Sequence, residues 1–398
     1  MGNIRRVEVF GDVDEGFGRV ADEFRRNFTR RGDIGAALAV VRDGRPVVDL
    51  WGGVRDTIRG LPWEHDTMVP VFSTTKGISA LVVASLRSRG LLEWDAPVGR
   101  YWPEFAAAGK ETITLRQLFA HEAGLAVLDA QLRSRDLHDL DALAEVLAAQ
   151  PPAWDPGTRR GYHAISLGLY QNEIVRRVDP QHRTIGRILA EEFVEPMGLS
   201  FYIGLPEHVD LDRIAVLARL APAAALRQVP GLPWKLARQL ANRSSPTSRS
   251  LSNPALARPE RFTRRSVLTP EVPSSNGVGT PRSIAALYGA AAIGAPELPI
   301  DAATLAELAE PVAVRARTDI LLLARRAYAL GFSKPVPDFW FGSPGGRSFG
   351  TPGLGGSFGF ADPDARVGYA WAPNRLGIRL SNAPREGAVR RAVYACLG

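Results

Sequence analysis

Val71-Phe72-Ser73-Thr74-Thr75-Lys76-Gly77 runs directly into ISALVVASLRSRG (78–90), and this stretch organises the whole chain. The segment from Gly77 is apolar nearly all round and stops at Gly90, the pattern of a buried helix that begins at the serine and ends on a glycine cap. In the first turn of a helix, residues i and i+3 share a face, so the Lys76 amine can reach the Ser73 hydroxyl. The helix N-terminus adds free N–H groups and a positive dipole end where an oxyanion would form. Burial would depress the lysine pKa, and a neutral amine can then take the serine proton. Taken alone, the motif fits a helix-capping serine and a surface lysine equally well. However, it is the only Ser-x-x-Lys among 398 residues that include just four lysines, Lys76, Lys110, Lys235 and Lys334.

Upstream, AALAVVRDGRPVVDLWGGV (36–54) is two β-branched runs joined at Arg42-Asp43-Gly44, the chemistry of a hairpin. Before it, Val20, Phe24 and Phe28 recur at i+4 spacing, predicting an amphipathic helix from about Val13 to Arg31 that Gly32 stops. Downstream to about Tyr288 the patterns are mostly helical with many Pro and Gly breaks. GSFGFADPDARVGYAWAPN (356–374) returns to hairpin character around Asp362-Pro363-Asp364, and Glu386 to Leu397 reads as a helix. The expected fold class is therefore α+β: an antiparallel sheet built from both chain ends and flanked by helices, with an inserted mainly helical domain. Residues 1–75 with 275–398 form the sheet domain and 76–274 the helical one. Within the latter, 206–273 is rich in Pro, Ser and Arg; it reads as a pocket wall, a basic surface touching lipid, or a variable surface excursion.

Composition narrows the function. Hydrophobic residues at 45% and charged residues at 23% describe an ordinary globular protein. The net charge of +7 comes almost wholly from arginines scattered among 42 acidic residues, with no RNP-type motif or zinc-finger spacing, so nucleic acid is not expected as a partner. No run of 18 apolar residues occurs and the N-terminus lacks an apolar signal core, so no stable membrane insertion is expected and cytoplasmic residence is the default. The single cysteine, Cys396, reads as a small apolar terminal residue. The histidines show no ligand spacing, so neither metal nor cofactor is expected. Nothing in the pattern sets an oligomeric state.

Three further segments carry a resemblance: ITLRQLFAHEAGL (113–125), PGTRRGYHAISLGLY (156–170) and PSSNGVGTPRSIAALYGA (273–290). Together with Ser73 and Lys76 they resemble the β-lactamase-like serine hydrolase superfamily, in its class C β-lactamase and family VIII carboxylesterase branch, over roughly residues 15–395. The resemblance implies Ser73 as the acylated nucleophile, Lys76 beside it, and Tyr162 as the second base, its phenolate stabilised by nearby cationic charge from Lys76. His163 is a candidate substrate contact, with a structural histidine as the competing reading, and His121 reads as structural. The family's third element, Lys-Thr-Gly or His-x-Gly on an inner strand, falls on Thr351-Pro352-Gly353 and lacks the cation. That departure argues against efficient β-lactam hydrolysis and for a neutral acyl substrate. Thr351 and Gly353 would face substrate, and Leu354 would offer the second oxyanion N–H beside that of Ser73.

Gly355-Gly356-Ser357-Phe358-Gly359 matches the lipase G-x-S-x-G pattern, but a hairpin follows it where a nucleophile elbow needs a helix. The expected activity is a carboxylesterase acting through an acyl-enzyme on Ser73, with a small-molecule ester or other acyl compound as substrate. Two alternatives stand beside it: an acyltransferase using the same intermediate, and a catalytically silent binding protein of the same fold.

Overall fold

In the computed structural model, residues 7–218, 233–255, 261–312, 317–379 and 383–398 are described. Alternation in the hairpin sequences builds the sheet. β2 (Gly35–Arg42) and β3 (Arg45–Asp56) pair antiparallel across a turn in which Asp43 and Gly44 both take positive φ, the backbone that Asp-Gly tolerates. β1 (Val9–Val13) pairs with the outer edge of β3, placing Phe10 opposite Trp51. From the far end of the chain come β8 (Arg317–Asp319), β9 (Ala324–Ala329), β10 (Phe332–Lys334), β11 (Phe349–Pro352), β12 (Phe358–Asp362) and β13 (Val367–Pro373). The order across the sheet is β1-β3-β2-β13-β12-β11-β10-β9-β8, so β13 joins the two chain ends by pairing with β2.

The period of two divides this sheet's side chains between two cores. Leu38 and Val40 face the helices Gly18–Arg30 and Pro384–Leu397 through Phe24, Phe28, Trp371, Val389 and Val393. Ala37, Ala39 and Val41 face the other way, toward the helix Pro281–Ile293. That helix lies close enough that a Cβ on Gly368 of β13 would stand 2.1 Å from the Gly289 nitrogen, so both glycines are needed for the approach. The helix Thr75–Ser88 runs through the larger core with Ile78, Leu81, Val82 and Leu86 fully buried, as an all-apolar pattern requires.

The N-terminal expectation needs correction: Val9–Val13 is an edge strand, and the helix starts only at Gly18. Gly16, at positive φ, and the turn closed by the Phe17 N–H on the Asp14 carbonyl separate the two. Strands β8 to β10 were not read from the sequence. Of the Pro-, Ser- and Arg-rich segment 206–273, residues 219–232 and 256–260 lie outside the described residues, and Trp234–Ala241 and Pro246–Ser252 are helices. Among the described residues no helix is long and apolar enough to cross a membrane.

Candidate active site

Short strand β5 (Val69–Pro70), paired with β7 (Val278–Gly279), delivers the chain to a one-turn 3-10 segment, Phe72–Thr74, that leads into the central helix. Ser73 sits in this turn. Phe72 before it takes a φ of 48°, a region that non-glycine side chains rarely adopt, and its ring is held against Phe262 with centroids 4.9 Å apart. The turn is tied to the glycine-rich end of β11. Ser357 Oγ donates to the Val71 carbonyl at 2.7 Å and shares a hydrogen bond with Thr74 Oγ1 at 3.1 Å. A Cβ on Gly353 would stand 2.1 Å from Ser357 Oγ and 2.2 Å from the Val71 oxygen. The serine of the lipase-like pattern is thus a buried brace behind the Ser73 turn, followed by strand β12. Gly353→Ala is expected to displace that turn, costing more than tenfold in ester turnover and lowering Tm. A variant with wild-type rate and Tm would show that the close packing has no consequence.

Lys76 is buried and its Nζ lies 2.6 Å from the Ala164 carbonyl, 2.8 Å from the Ser274 carbonyl and 3.3 Å from Ser73 Oγ. Burial holds its proton affinity well below that of an ordinary lysine. A neutral amine has two N–H bonds and one lone pair. With both carbonyls taking its N–H bonds, a neutral Lys76 would have its lone pair free for the Ser73 hydroxyl, whereas an ammonium donates to all three oxygens.

Tyr162 lies beside this pair, its ring centroid 4.8 Å from Lys76 Nζ. Burial pushes its phenol far above the ordinary range, a hydrogen bond with Ser73 pulls it back, the charge of Asp319 pushes it further up, and Arg326 opposes that. Burial thus works against the phenolate that the resemblance implies for Tyr162.

The sequence family model described as Beta-lactamase matches residues 24–393. The chain belongs to the Beta-lactamase family. A relative named Esterase/beta-lactamase LipL, from Mycobacterium tuberculosis, is 35% identical over 388 residues, covering 96% of this chain and 86% of its own. Esterase EstB from Burkholderia gladioli is 31% identical over 231 residues, 50% of this chain and 58% of that one. A crystal structure of a family VIII carboxylesterase superposes with a TM-score of 0.86 at 35% identity, covering 98% of this chain and all of that one. With a Ser-Lys-Tyr cluster at its centre, this Beta-lactamase family member is a serine hydrolase.

Ser73 and Tyr162 open into a cavity of about 300 Å3 whose other walls are chiefly Leu236, Leu240, Leu251, Leu322, Tyr328, Phe339 and Leu354. Leu236, Leu240 and Leu251 come from the Pro/Arg-rich segment, so its described part is a pocket wall. Leu354, at the start of a short 3-10 turn, is 41% exposed at the rim. Three residues expected at the substrate lie off the cavity wall, and the first, Gly353, backs onto Ser357 and the Val71 carbonyl. Thr351 is buried with its hydroxyl near Gly77, beside the phenol of Tyr288, because strand alternation turns it behind the central helix while Pro352 faces the cavity. His163 is fully buried: Nε2 accepts from the Leu125 N–H at 3.0 Å, and Nδ1 lies 2.7 Å from the Gly161 carbonyl. Burial lowers its pKa to about 4, and the neutral ring holds two loop segments together. His121, at positive φ, accepts from the His163 N–H and is structural in the same sense.

Sequence reasoning missed Tyr328, whose ring stacks on Tyr162 at 5.8 Å, and Asp319, which accepts the Tyr328 hydroxyl at 3.3 Å. The strand alternation of ARRAYA (324–329) was the available signal; it sets Arg326 and Tyr328 on the cavity side.

Proposed function

We propose that the protein is a carboxylesterase that acylates Ser73 with a neutral, apolar ester and releases the acyl group to water. The observation that carries this reading is the buried Lys76 amine, its Nζ within hydrogen-bond distance of Ser73 Oγ and of the Ala164 and Ser274 carbonyls, on the floor of an apolar cavity. Ser73 Oγ attacks the ester carbonyl as its proton passes to Lys76 Nζ. The backbone N–H groups of Ser73 and Leu354 hold the resulting oxyanion. Tyr162 gives its proton to the departing alkoxide and regains one from the Lys76 ammonium, so the amine and phenol are restored. Water then attacks the acyl-enzyme as its proton passes to Lys76 Nζ, and the intermediate collapses to the carboxylic acid while that proton returns to Ser73 Oγ. An aliphatic wall that includes Leu236, Leu240 and Leu251 suits the acyl or alcohol portion of a small-molecule ester.

The test is a series of p-nitrophenyl esters of increasing chain length, with and without an amine acceptor. Release of free acid in both arms is the expected result. Amide formation outpacing acid release would move the reading to an acyltransferase, and no turnover of any ester by folded protein would move it to a silent binding protein. Nitrocefin is expected to be turned over with kcat/KM far below ~10⁶ M⁻¹s⁻¹. The Lys-Thr-Gly cation is replaced by Thr351, whose side chain is packed behind the central helix. A value at or above that level would contradict the preference for neutral esters.

A further inference from the structure

Tyr162 sits in an irregular segment, and its hydroxyl serves the reaction only if the backbone holds it against Ser73. His121 holds the backbone on either side of it, accepting the Gly161 and His163 N–H groups, and one carboxylate holds Tyr162 itself. Asp319, the last residue of β8, is completely buried. Its Oδ1 accepts the Leu321 and Leu322 N–H groups at 2.9 and 2.8 Å, and its Oδ2 accepts the Tyr328 hydroxyl at 3.3 Å. The backbone N–H of Tyr162 donates to the same carboxylate. Beside it, Arg160 bridges to Asp319 and its carbonyl accepts the Ile320 N–H at 2.9 Å, so the strand before Tyr162 is stitched to the turn after β8.

Four donors on one buried carboxylate satisfy an ionised group and would leave a neutral one over-supplied. Burial pushes the Asp319 carboxyl above its ordinary range and these donors oppose that, an arrangement that a residue serving only to close a turn would not require. We infer that Asp319 is a positioning residue for Tyr162: its carboxylate clamps the Tyr162 backbone and fixes the stacked Tyr328 ring as the wall behind it. Its charge also biases Tyr162 toward the protonated phenol. The inference rests on the catalytic role proposed for Tyr162.

The charged and titratable groups facing Tyr162 are consistent with that bias. Lys76 approaches from the central helix, His121 from the opposite loop with ring centroids 4.9 Å apart, and Arg326 and Tyr328 from β9. His163, next in the chain, is neutral and turned away. Among these neighbours Asp319 is the negative one, and Arg326 acts on the phenol in the opposite sense.

The test compares wild type, Asp319→Asn and Tyr328→Phe by kcat, KM and pH profile on one p-nitrophenyl ester. Thermal melts and fluorophosphonate labelling of Ser73 are run on the same samples. Asp319→Asn is expected to keep KM within about threefold and lose ~10-fold or more in kcat. Its alkaline limb should move to lower pH, because removing the negative charge makes the phenol easier to ionise. Tyr328→Phe leaves the stacked ring and removes one donor from the carboxylate. A smaller loss in kcat is expected, with the limb moving to higher pH as more of the carboxylate charge bears on Tyr162. Should Asp319→Asn fail to fold, Tyr328→Phe decides. A kcat near wild type, or a loss with an unmoved limb, overturns the clamp while wild-type turnover and labelling leave the esterase reading intact. Wild type that neither turns over nor labels overturns both.

Discussion

Ser73→Ala is expected to abolish ester turnover, with a loss of ~10⁴-fold or more, since removal of a nucleophile leaves only binding and oxyanion stabilisation. It should also abolish fluorophosphonate labelling. Ser357→Ala, made in the same background, is expected to keep both the label and most of the turnover. Its cost falls on stability: the Val71 carbonyl and the Thr74 hydroxyl lose a buried partner, worth about 1–3 kcal/mol. The contrast is informative because both serines stand in recognisable hydrolase motifs and lie against the same turn. Steady-state kinetics with a thermal melt on each variant separates the two effects. A folded Ser357→Ala protein that has lost the label while Ser73→Ala retains it would reverse the assignment.

The second large effect concerns the proton relay. Tyr162→Phe keeps the ring packed against His121 and Tyr328 and removes only the hydroxyl, a proton-transfer role typically worth ~10²–10⁴ in rate. Lys76→Ala should cost as much or more, since it removes the acceptor of the Ser73 proton. It also leaves the Ala164 and Ser274 carbonyls without their donor, so a fall in Tm should accompany it. The double variant is expected to be little slower than the slower single one, because each group is useless to the relay without the other. The kcat/KM values of wild type, both singles and the double on one activated ester form the cycle. Multiplicative losses, or a Tyr162→Phe enzyme within about threefold of wild type, would send the search for the leaving-group acid elsewhere.

Much of this architecture is legible in the sequence because its signals are local. Asp43-Gly44 fixes one hairpin, the alternation in 36–54 and 356–374 supplies the central strands, and Ser73 with Lys76 lies one helical turn apart. What the sequence hides is non-local or short. Val9–Val13 holds a glycine and an aspartate and becomes a strand only because the edge of β3 is there to pair with. His163 looks like a site residue through adjacency to Tyr162, yet consecutive residues of an extended segment point to opposite sides, and its ring turns into the core. Thr351 misleads for the same reason, with Pro352 taking the cavity side. Asp319 and Tyr328 are brought to Tyr162 by the pairing of β8 and β9 and by the Arg160 bridge, from more than 150 residues away in the chain, with no motif to announce them.

The proton inventory of the site is likewise a product of burial. Sequence spacing places an amine near a hydroxyl; it is the enclosed environment that lowers the proton affinity of Lys76, because burial removes water from it. The same enclosure keeps Tyr162 as a phenol, which suits it to donate to a leaving group more than to abstract from Ser73.

The central claim, that Ser73 is the residue acylated, is tested most directly by trapping the covalent adduct. The protein is incubated with a fluorophosphonate, the mass gain of one adduct is checked on the intact chain, and the modified residue is located by peptide sequencing in a mass spectrometer. The account predicts a single adduct on Ser73. An adduct on Ser357, or none on folded protein that still hydrolyses esters, would contradict it.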